Sequence, residues 1–307
     1  MHAGDEEGWG LRVPKREAEE RRQDLIARGL LDRSRRPRAD GADLLLPLTE
    51  EVPGAELALF AAFPPREDLP RHELVGGIAI MQDEDVAGAV RILASRPSLH
   101  TVVVPLSAVE GEFRTRSFRV LAGEPTTRTT VTEHGHRFAV DLSHAYFSAR
   151  LSTERQRIRS LMAPAERLCD MFAGVGPFAI ACSARASLVV AADLNPAAVS
   201  LMCENIGRNR VTNVLPVLAD AAHLPRIFGR TFERVVMNLP MESAGFLPAA
   251  FALCRPGGTI HFYTLQDAEG GYLERIRAFP VKAVTERRVR SYSPGEWHAV
   301  YDIVVGE

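Results

Sequence analysis

Between Arg167 and Leu265 the chain alternates between short apolar runs and longer mixed ones. RLCDMF, SLVVAAD, NVLPVLAD, RVVMNLP and TIHFYTL have the length and composition of buried strands. PFAIACSA, NPAAVSLMCENIGRN and FLPAAFALC carry apolar residues at helical spacing. This order predicts a parallel, doubly wound, Rossmann-like sheet. A basic amphipathic helix in SARLSTERQRIRSLM leads into it, and RRVRSYSPGEWHAVYDIVV closes it as two strands joined by Ser-Pro-Gly, an antiparallel edge pair.

Upstream the pattern differs. ELVGGIAIM predicts a strand, and DEDVAGAVRILASR a helix with Val86, Ala89, Val90 and Leu93 on one side. HTVVVPL predicts a further strand, GEFRTRSFRVLAG an extended segment, and TTVTEHGHRFAVDL a hairpin around His134-Gly135. Nearer the start, a helix is expected from Pro14 to a stop at Gly29, followed by a strand at Leu44–Leu48. The proline-rich stretch that follows is expected to be a linker. The organisation expected is therefore α/β: a small α+β domain over 1–50, a linker over 51–70, a second small α+β domain over 71–127, and a doubly wound domain over 128–307.

Composition changes this picture little. The 307 residues are 46% hydrophobic and 25% charged, enough for a sizeable core. No apolar run approaches bilayer-spanning length, and MHAGDEEGWG lacks the apolar core of a secretory leader, so a cytoplasmic location is expected. The cysteines at 169, 182, 203 and 254 form no C-x-x-C pair, and the scattered histidines suggest no metal site. Charge is more informative. The net charge is only −2, but residues 12–38 hold ten Lys/Arg against five Asp/Glu. That local excess either meets phosphates or is a solvated helix face with internal ion pairs.

The candidate chemistry begins at DMFAGVGPF. Gly174 and Gly176 follow a strand ending near Asp170, and Pro177 opens the next helix. A dinucleotide fingerprint asks for a third glycine, where Ala179 stands, and a phosphate P-loop is excluded because no Gly-Lys-Ser/Thr follows. Asp193 ends the second strand, where a carboxylate suits ribose hydroxyls. Asp220 ends the third strand, where an adenine edge can be read. The fourth ends in Asn238-Leu239-Pro240, a polar tip that a nicotinamide enzyme does not need and an S-adenosylmethionine enzyme does. The ordered set of Asp170, Gly174, Gly176, Asp193, Asp220 and Asn238 points to S-adenosyl-L-methionine.

At this point the chain resembles a known family, the archaeal-type tRNA (guanine-37-N1)-methyltransferases of class I methyltransferase fold. The resemblance spans nearly the whole chain. It rests on VPKREAEERRQDLIARGLLD, VEGEFRTRSFRVLAGE, AYFSARLSTERQRI, DMFAGVGPFAIAC, ADLNPAAVSLMCENIGRN, VVMNLP, GGTIHFYTL and RSYSPGEWHAVYDI. Ala149 stands where the family pattern has proline. The resemblance implies methyl transfer from S-adenosylmethionine to guanosine 37 of tRNA, with a first domain that grips the tRNA body and no obligate protein partner. The rivals are a wybutosine-pathway enzyme on the same fold and a non-catalytic tRNA-binding module.

The resemblance also assigns roles. Guanine N1 must lose a proton, so the site needs a base near N1 and a cation near O6. These fall on Glu154 and Arg114, with Asn238 orienting the guanine edge beside the donor. Glu154 is otherwise a first-turn helix acid behind Ser152, or a partner for Arg157. Its pKa is expected to rise if a bound base excludes water. Arg155 is a partner for the donor's carboxylate or a surface charge. Phe172 lines the methionine moiety or packs in the core. Tyr146 meets the flipped base or packs at a helix entry. Asp170 holds the donor's amino end, Leu194 and Ala221 complete the donor pocket, and Pro240 borders the base.

Overall fold

The computed structural model describes residues 5–62, 68–107, 111, 113 and 115–307. Glu112 and Arg114 of the GEFRTR motif lie outside the described residues. The chain divides into two compact units, Met1–Asp68 and Leu69–Glu307.

The first unit is a four-stranded antiparallel sheet with one helix. Its elements are β1 (Asp5–Pro14), α1 (Ala18–Ala27), β2 (Arg38–Asp40), β3 (Asp43–Pro47) and β4 (Ala55–Ala61), in sheet order β2-β3-β1-β4. Leu25 of α1 packs on Leu11, Val13, Leu46 and Leu48. Two expectations need correction here. Pro14 ends a strand and does not open the helix, which starts at Ala18. Residues Asp5–Pro14 form β1, a strand unread in the sequence because Gly8 and Gly10 interrupt its pattern; a Cβ at Gly10 would stand 2.6 Å from the Phe60 ring, so glycine is what lets β1 pass. The linker expected over 51–70 contains β4, which pairs with β1 and buries Ala58 and Phe60. Prolines flank that segment without entering the strand, so its alternation survives. The basic stretch is partly self-neutralised: Arg12 bonds Asp40 at 2.6 Å and Glu56 at 2.7 Å, and Arg28 reaches Asp24 at 3.4 Å.

The second unit begins with β5 (His72–Val75), β6 (Ile78–Met81), α2 (Val86–Ser95), β7 (Thr101–Pro105) and β8 (Phe118–Gly123), a four-stranded sheet in that strand order. The single strand expected in ELVGGIAIM is two, turned at Gly76-Gly77, where Gly76 takes φ +56°. The buried side of α2 is Gly88, Ala89 and Ile92; Val86 and Val90, expected inside, are exposed. A hairpin follows, β9 (Arg128–Glu133) and β10 (His136–Asp141), turned at His134-Gly135 as the sequence indicates. Val131, Phe138 and Val140 from this hairpin join Val75, Ile78 and Val103 from the small sheet in one core.

The doubly wound part comprises α3 (Ser152–Leu161), β11 (Glu166–Asp170), α4 (Pro177–Ser183), β12 (Ala186–Asp193), α5 (Pro196–Arg208), β13 (Val214–Leu218), α6 (Leu224–Phe228), β14 (Phe232–Met237), α7 (Leu247–Leu253), β15 (Cys254–Gln266), α8 (Leu273–Arg277), β16 (Val281–Ser293) and β17 (Glu296–Val305). The sheet order is β13-β12-β11-β14-β15-β17-β16. The first five strands are parallel, and β17 is antiparallel to both its neighbours. Ile158, Phe178, Val189, Met202 and Val300 form the core on one face. Phe232, Leu247, Phe251, Phe262 and Tyr301 form it on the other. The order reverses between β11 and β14, so the crevice for a ligand opens above those two strand ends. Among the described residues, no helix is long and apolar enough to cross a membrane.

Candidate active site

The loop after β11 is shaped by two left-handed glycines, Gly174 at φ +56° and Gly176 at φ +87°. A Cβ on Gly176 would meet the Met202 side chain at 2.9 Å, so this glycine lets the loop sit on α5. It does not line the cavity, unlike Gly174. The Gly174 amide donates to Asp193 Oδ2 at 2.7 Å, and the Asn195 amide to Oδ1 at 2.9 Å. Asn205, fully buried in α5, takes the Ala139 amide at 2.6 Å and donates to the carbonyls of Ala139 and Val175 at 3.0 Å. It thereby ties the hairpin to the glycine loop.

The cavity above the switch point is lined by Tyr146, Arg155, Phe172, Gly174, Asp193, Leu194, Asp220, Ala221, Asn238 and Pro240, all singled out from the sequence. Two buried acceptors at or beside the cavity lack well-aligned partners among the described residues. Among the described residues no group makes a well-aligned hydrogen bond to either carboxylate oxygen of Asp170, toward which only the Phe172 amide is directed; Asp170 is fully buried at the end of β11, next in sequence to the cavity-lining Met171 and Phe172. Burial pushes its pKa up to about 7, against the pull of the Phe172 amide and the charge of Arg155, and the charge of Asp193 adds to the rise. The side-chain oxygen of Asn238 is likewise buried and unpaired. Orphaned buried acceptors are costly and call for donors. Asp220 is engaged locally, its Oδ1 taking the Ala222 amide at 2.8 Å. Phe172 meets Phe246 edge-on at 5.0 Å while facing the cavity, so it packs and lines at once.

Arg155 departs from expectation. It is buried, not a surface charge, and makes a bidentate pair with Glu133 at 2.9 and 2.6 Å, plus a bond to the Ser148 carbonyl at 3.0 Å. Its charge is therefore answered within the protein. Its plane lies near the rings of Phe147 and Phe178.

Glu154 is only 4% exposed and does not line the cavity. One oxygen is held by the Arg287 guanidinium. The other takes Arg157 Nε at 3.0 Å and the Tyr263 hydroxyl at 3.0 Å, and Tyr263 does face the cavity. Burial works to raise its pKa, but Arg287 and Arg157 overcome this and hold the carboxyl below the usual range. As it stands, then, its pKa is lowered, and any rise requires those cations to withdraw. Behind it runs a buried polar chain. Arg157 is bidentate on Asp302 at 2.6 and 3.2 Å, His261 reaches Asp302 at 2.6 Å, and Arg234 bonds His261 at 2.6 Å and clamps Glu166 at 2.6 and 3.1 Å. Arginine donates to His261 Nε2, so the Nδ1–H donates to Asp302. The depressed Asp302 carboxyl follows from these partners, which outweigh its burial.

The sequence reading missed Tyr263, Arg290, Tyr292 and His298, which also line the cavity. TIHFYTL reads only as a strand, and RSYSPGEWH only as a hairpin. Polar side chains facing one side just before and after the Ser-Pro-Gly turn were the available signal.

A doubly wound sheet with a glycine loop, carboxylates at or just past the ends of its second and third strands at Asp193 and Asp220, and acceptors unpaired among the described residues at the switch point defines an S-adenosylmethionine-dependent methyltransferase. The unpaired Asp170 and Asn238 oxygens suit a ligand that brings donors, as the ammonium of S-adenosylmethionine does. Comparison with known proteins narrows the class. A family model for the TRM5/TYW2 methyltransferase domain matches residues 129–289, and one for the tRNA methyltransferase 5 N-terminal domain matches residues 10–56. The chain is 34% identical to tRNA (guanine(37)-N(1))-methyltransferase Trm5b of Pyrococcus abyssi, over 96% of this chain and 98% of that one. The crystal structure of that protein superposes with TM-score 0.73, covering 98% of this chain and all of the other, at 32% identity. A complex of aTrm5 with tRNALeu gives TM-score 0.71 at 29% identity, covering 97% of this chain and 99% of that one. The tRNA(Phe) (4-demethylwyosine(37)-C(7)) aminocarboxypropyltransferase of Methanocaldococcus jannaschii is 28% identical, over 76% of this chain and 96% of that one. The chain belongs to the TRM5/TYW2 methyltransferase family.

Proposed function

We propose that this chain transfers the methyl group of S-adenosylmethionine to N1 of guanosine 37 in tRNA. The observation that carries the reading is the near end-to-end likeness to a protein with that activity, through both units. Bound in the cavity, S-adenosylmethionine supplies an electrophilic methyl on a sulfonium. Asp170 takes the donor's ammonium, and Asp193 retains lone pairs for ribose hydroxyls. Ala221, Leu194 and Phe172 give apolar walls. The Asn238 oxygen accepts from the exocyclic N2 amino group of the guanine, which leaves N1 to Glu154 and the methyl, and Pro240 and Tyr146 border the base. Glu154 receives the N1 proton, and Arg114 steadies O6.

Because Glu154 sits one hydrogen bond behind the wall, substrate entry must open the Tyr263 contact before the carboxylate meets N1. Release from Arg287 in the same movement raises its basicity. With tRNA as substrate, the reading places the enzyme with the cellular tRNA pool, in the cytoplasm.

The test uses donor labelled once in the methyl and once in the carboxyl, with unmodified tRNA bearing guanine or adenine at position 37. Methyl label entering only the guanine substrate, recovered as 1-methylguanosine, supports the reading. Carboxyl label in the product would establish aminocarboxypropyl transfer instead. Binding of tRNA without incorporation of either label would reduce the chain to a binding module.

A further inference from the structure

The hairpin of β16 and β17 contributes three side chains to the cavity that the donor and the N1 chemistry leave unused: Arg290, Tyr292 and His298. Arg290 Nη2 donates to His298 Nε2 at 3.3 Å, and the Tyr292 ring meets His298 edge-on, with centroids 5.3 Å apart at 88°. Tyr292 is 54% exposed at the rim. The Nε of Arg290 is buried and, among the described residues, has no hydrogen-bond partner. Among the described residues no carboxylate stands within ion-pair distance of it, whereas Arg155, Arg157, Arg234 and Arg287 are each paired with an acid. A half-buried guanidinium with an unmet N–H and no counter-charge is a receptor for an oxyanion.

Two anions reach this cavity under the proposed function, on which the inference rests: the donor's carboxylate and the phosphates of the nucleic acid. Strand order separates them. Asp170 ends β11, while Arg290 is on β16, four strands away in the order β11-β14-β15-β17-β16. At about 4.8 Å per strand the separation is roughly 19 Å. With the donor's ammonium at Asp170, its carboxylate, on the same carbon, cannot span that gap. We propose that Arg290, braced by His298 and flanked by Tyr292, binds a phosphodiester oxygen of the nucleotide that enters the cavity. It thereby anchors the backbone while the base turns inward.

The test is a double-perturbation cycle on the full chain. The substrate is tRNA assembled with either native phosphates or a neutral methylphosphonate on the 5′ or the 3′ side of position 37. The enzymes are wild type and Arg290→Gln. Losing one charge-assisted hydrogen bond should lower kcat/KM about 10–100-fold, whether the loss comes from the substitution or from the methylphosphonate at one of the two sites. Combined, the two should cost no more than either alone, and donor Kd should stay within about twofold of wild type. Multiplicative losses at both phosphates overturn the proposal. So does an Arg290→Gln enzyme as active as wild type, or a tenfold rise in donor Kd, which would place the donor's carboxylate at Arg290. If Arg290→Gln lowers the melting temperature enough to spoil the assay, Arg290→Lys, which keeps charge but not the planar fork, carries the same cycle. Read in tRNA Kd, the cycle needs no turnover. A wild type that binds tRNA without methylating it therefore defeats the proposed activity separately from the phosphate site.

Discussion

Glu154 draws its partners from three elements: Arg157 on its own helix, Tyr263 on β15 and Arg287 on β16. Its place in the first turn of α3, and Arg157 three residues on, are visible in STERQR. Arg287 and Tyr263, from strands more than a hundred residues away, are not. Those partners hold its carboxyl below the usual range, so it is ionised at neutral pH. The stability its pairs contribute is present above the unfolded value of about 4.5 and is lost as pH falls through the lower folded value. Glu154→Gln should reduce single-turnover methylation by about 10²–10⁴-fold with donor Kd little changed. Asp170 has the opposite sign. Its folded pKa of about 7 lies above the unfolded value, so its contribution to stability is full in acid and lost as pH rises through about 7. An ammonium beside it favours the charged form. Donor binding between pH 6 and 7 should therefore release protons, seen by calorimetry in buffers of different ionisation enthalpy. Asp170→Asn should abolish that release, and a wild type that releases none would remove Asp170 from contact with the ammonium.

At the level of elements, legibility followed burial on both faces. The strands β11, β12, β14 and β15 are sandwiched between helices, so their apolar runs are continuous and easy to read. In the small sheets the pattern weakens: β1 carries glycines at Gly8 and Gly10, and β5 and β6 are separated only by Gly76-Gly77. The exposed Val86 and Val90 misled the facing of α2, because its closest approach is made by Gly88 and Ala89, which add little to an apolar stripe. The glycine loop gives the sharpest expectation here. Gly176→Ala forces a left-handed alanine and a contact with Met202, and should cost about 2 kcal/mol in urea unfolding. Gly174→Ala meets nothing closer than the Tyr146 carbonyl at 3.6 Å and should cost the fold only about 1 kcal/mol of backbone strain.

At the scale of the molecule, the boundary between units determines how the chain can be cut. A cut at residue 50 would strand β4, whose pairing partner is β1, so the division after Asp68 is the one that respects the sheet. The fragment Leu69–Glu307 should bind donor within about twofold of the full chain. It should bind tRNA more weakly, with a shallower dependence of log Kd on log salt, because fewer phosphates are neutralised. Titrations at several salt concentrations check both, and a fragment that folds but loses donor binding would refute the partition. Finally, β17 lies inside its sheet although it follows every other strand of that sheet in the chain. A ribosome exposes it after all its neighbours. Until then β15 has an open edge and β16 nothing to lean on, so a polypeptide stalled before Glu296 would present the glycine-loop side of the crevice without His298 and without a strand to hold Arg290 and Tyr292 in place.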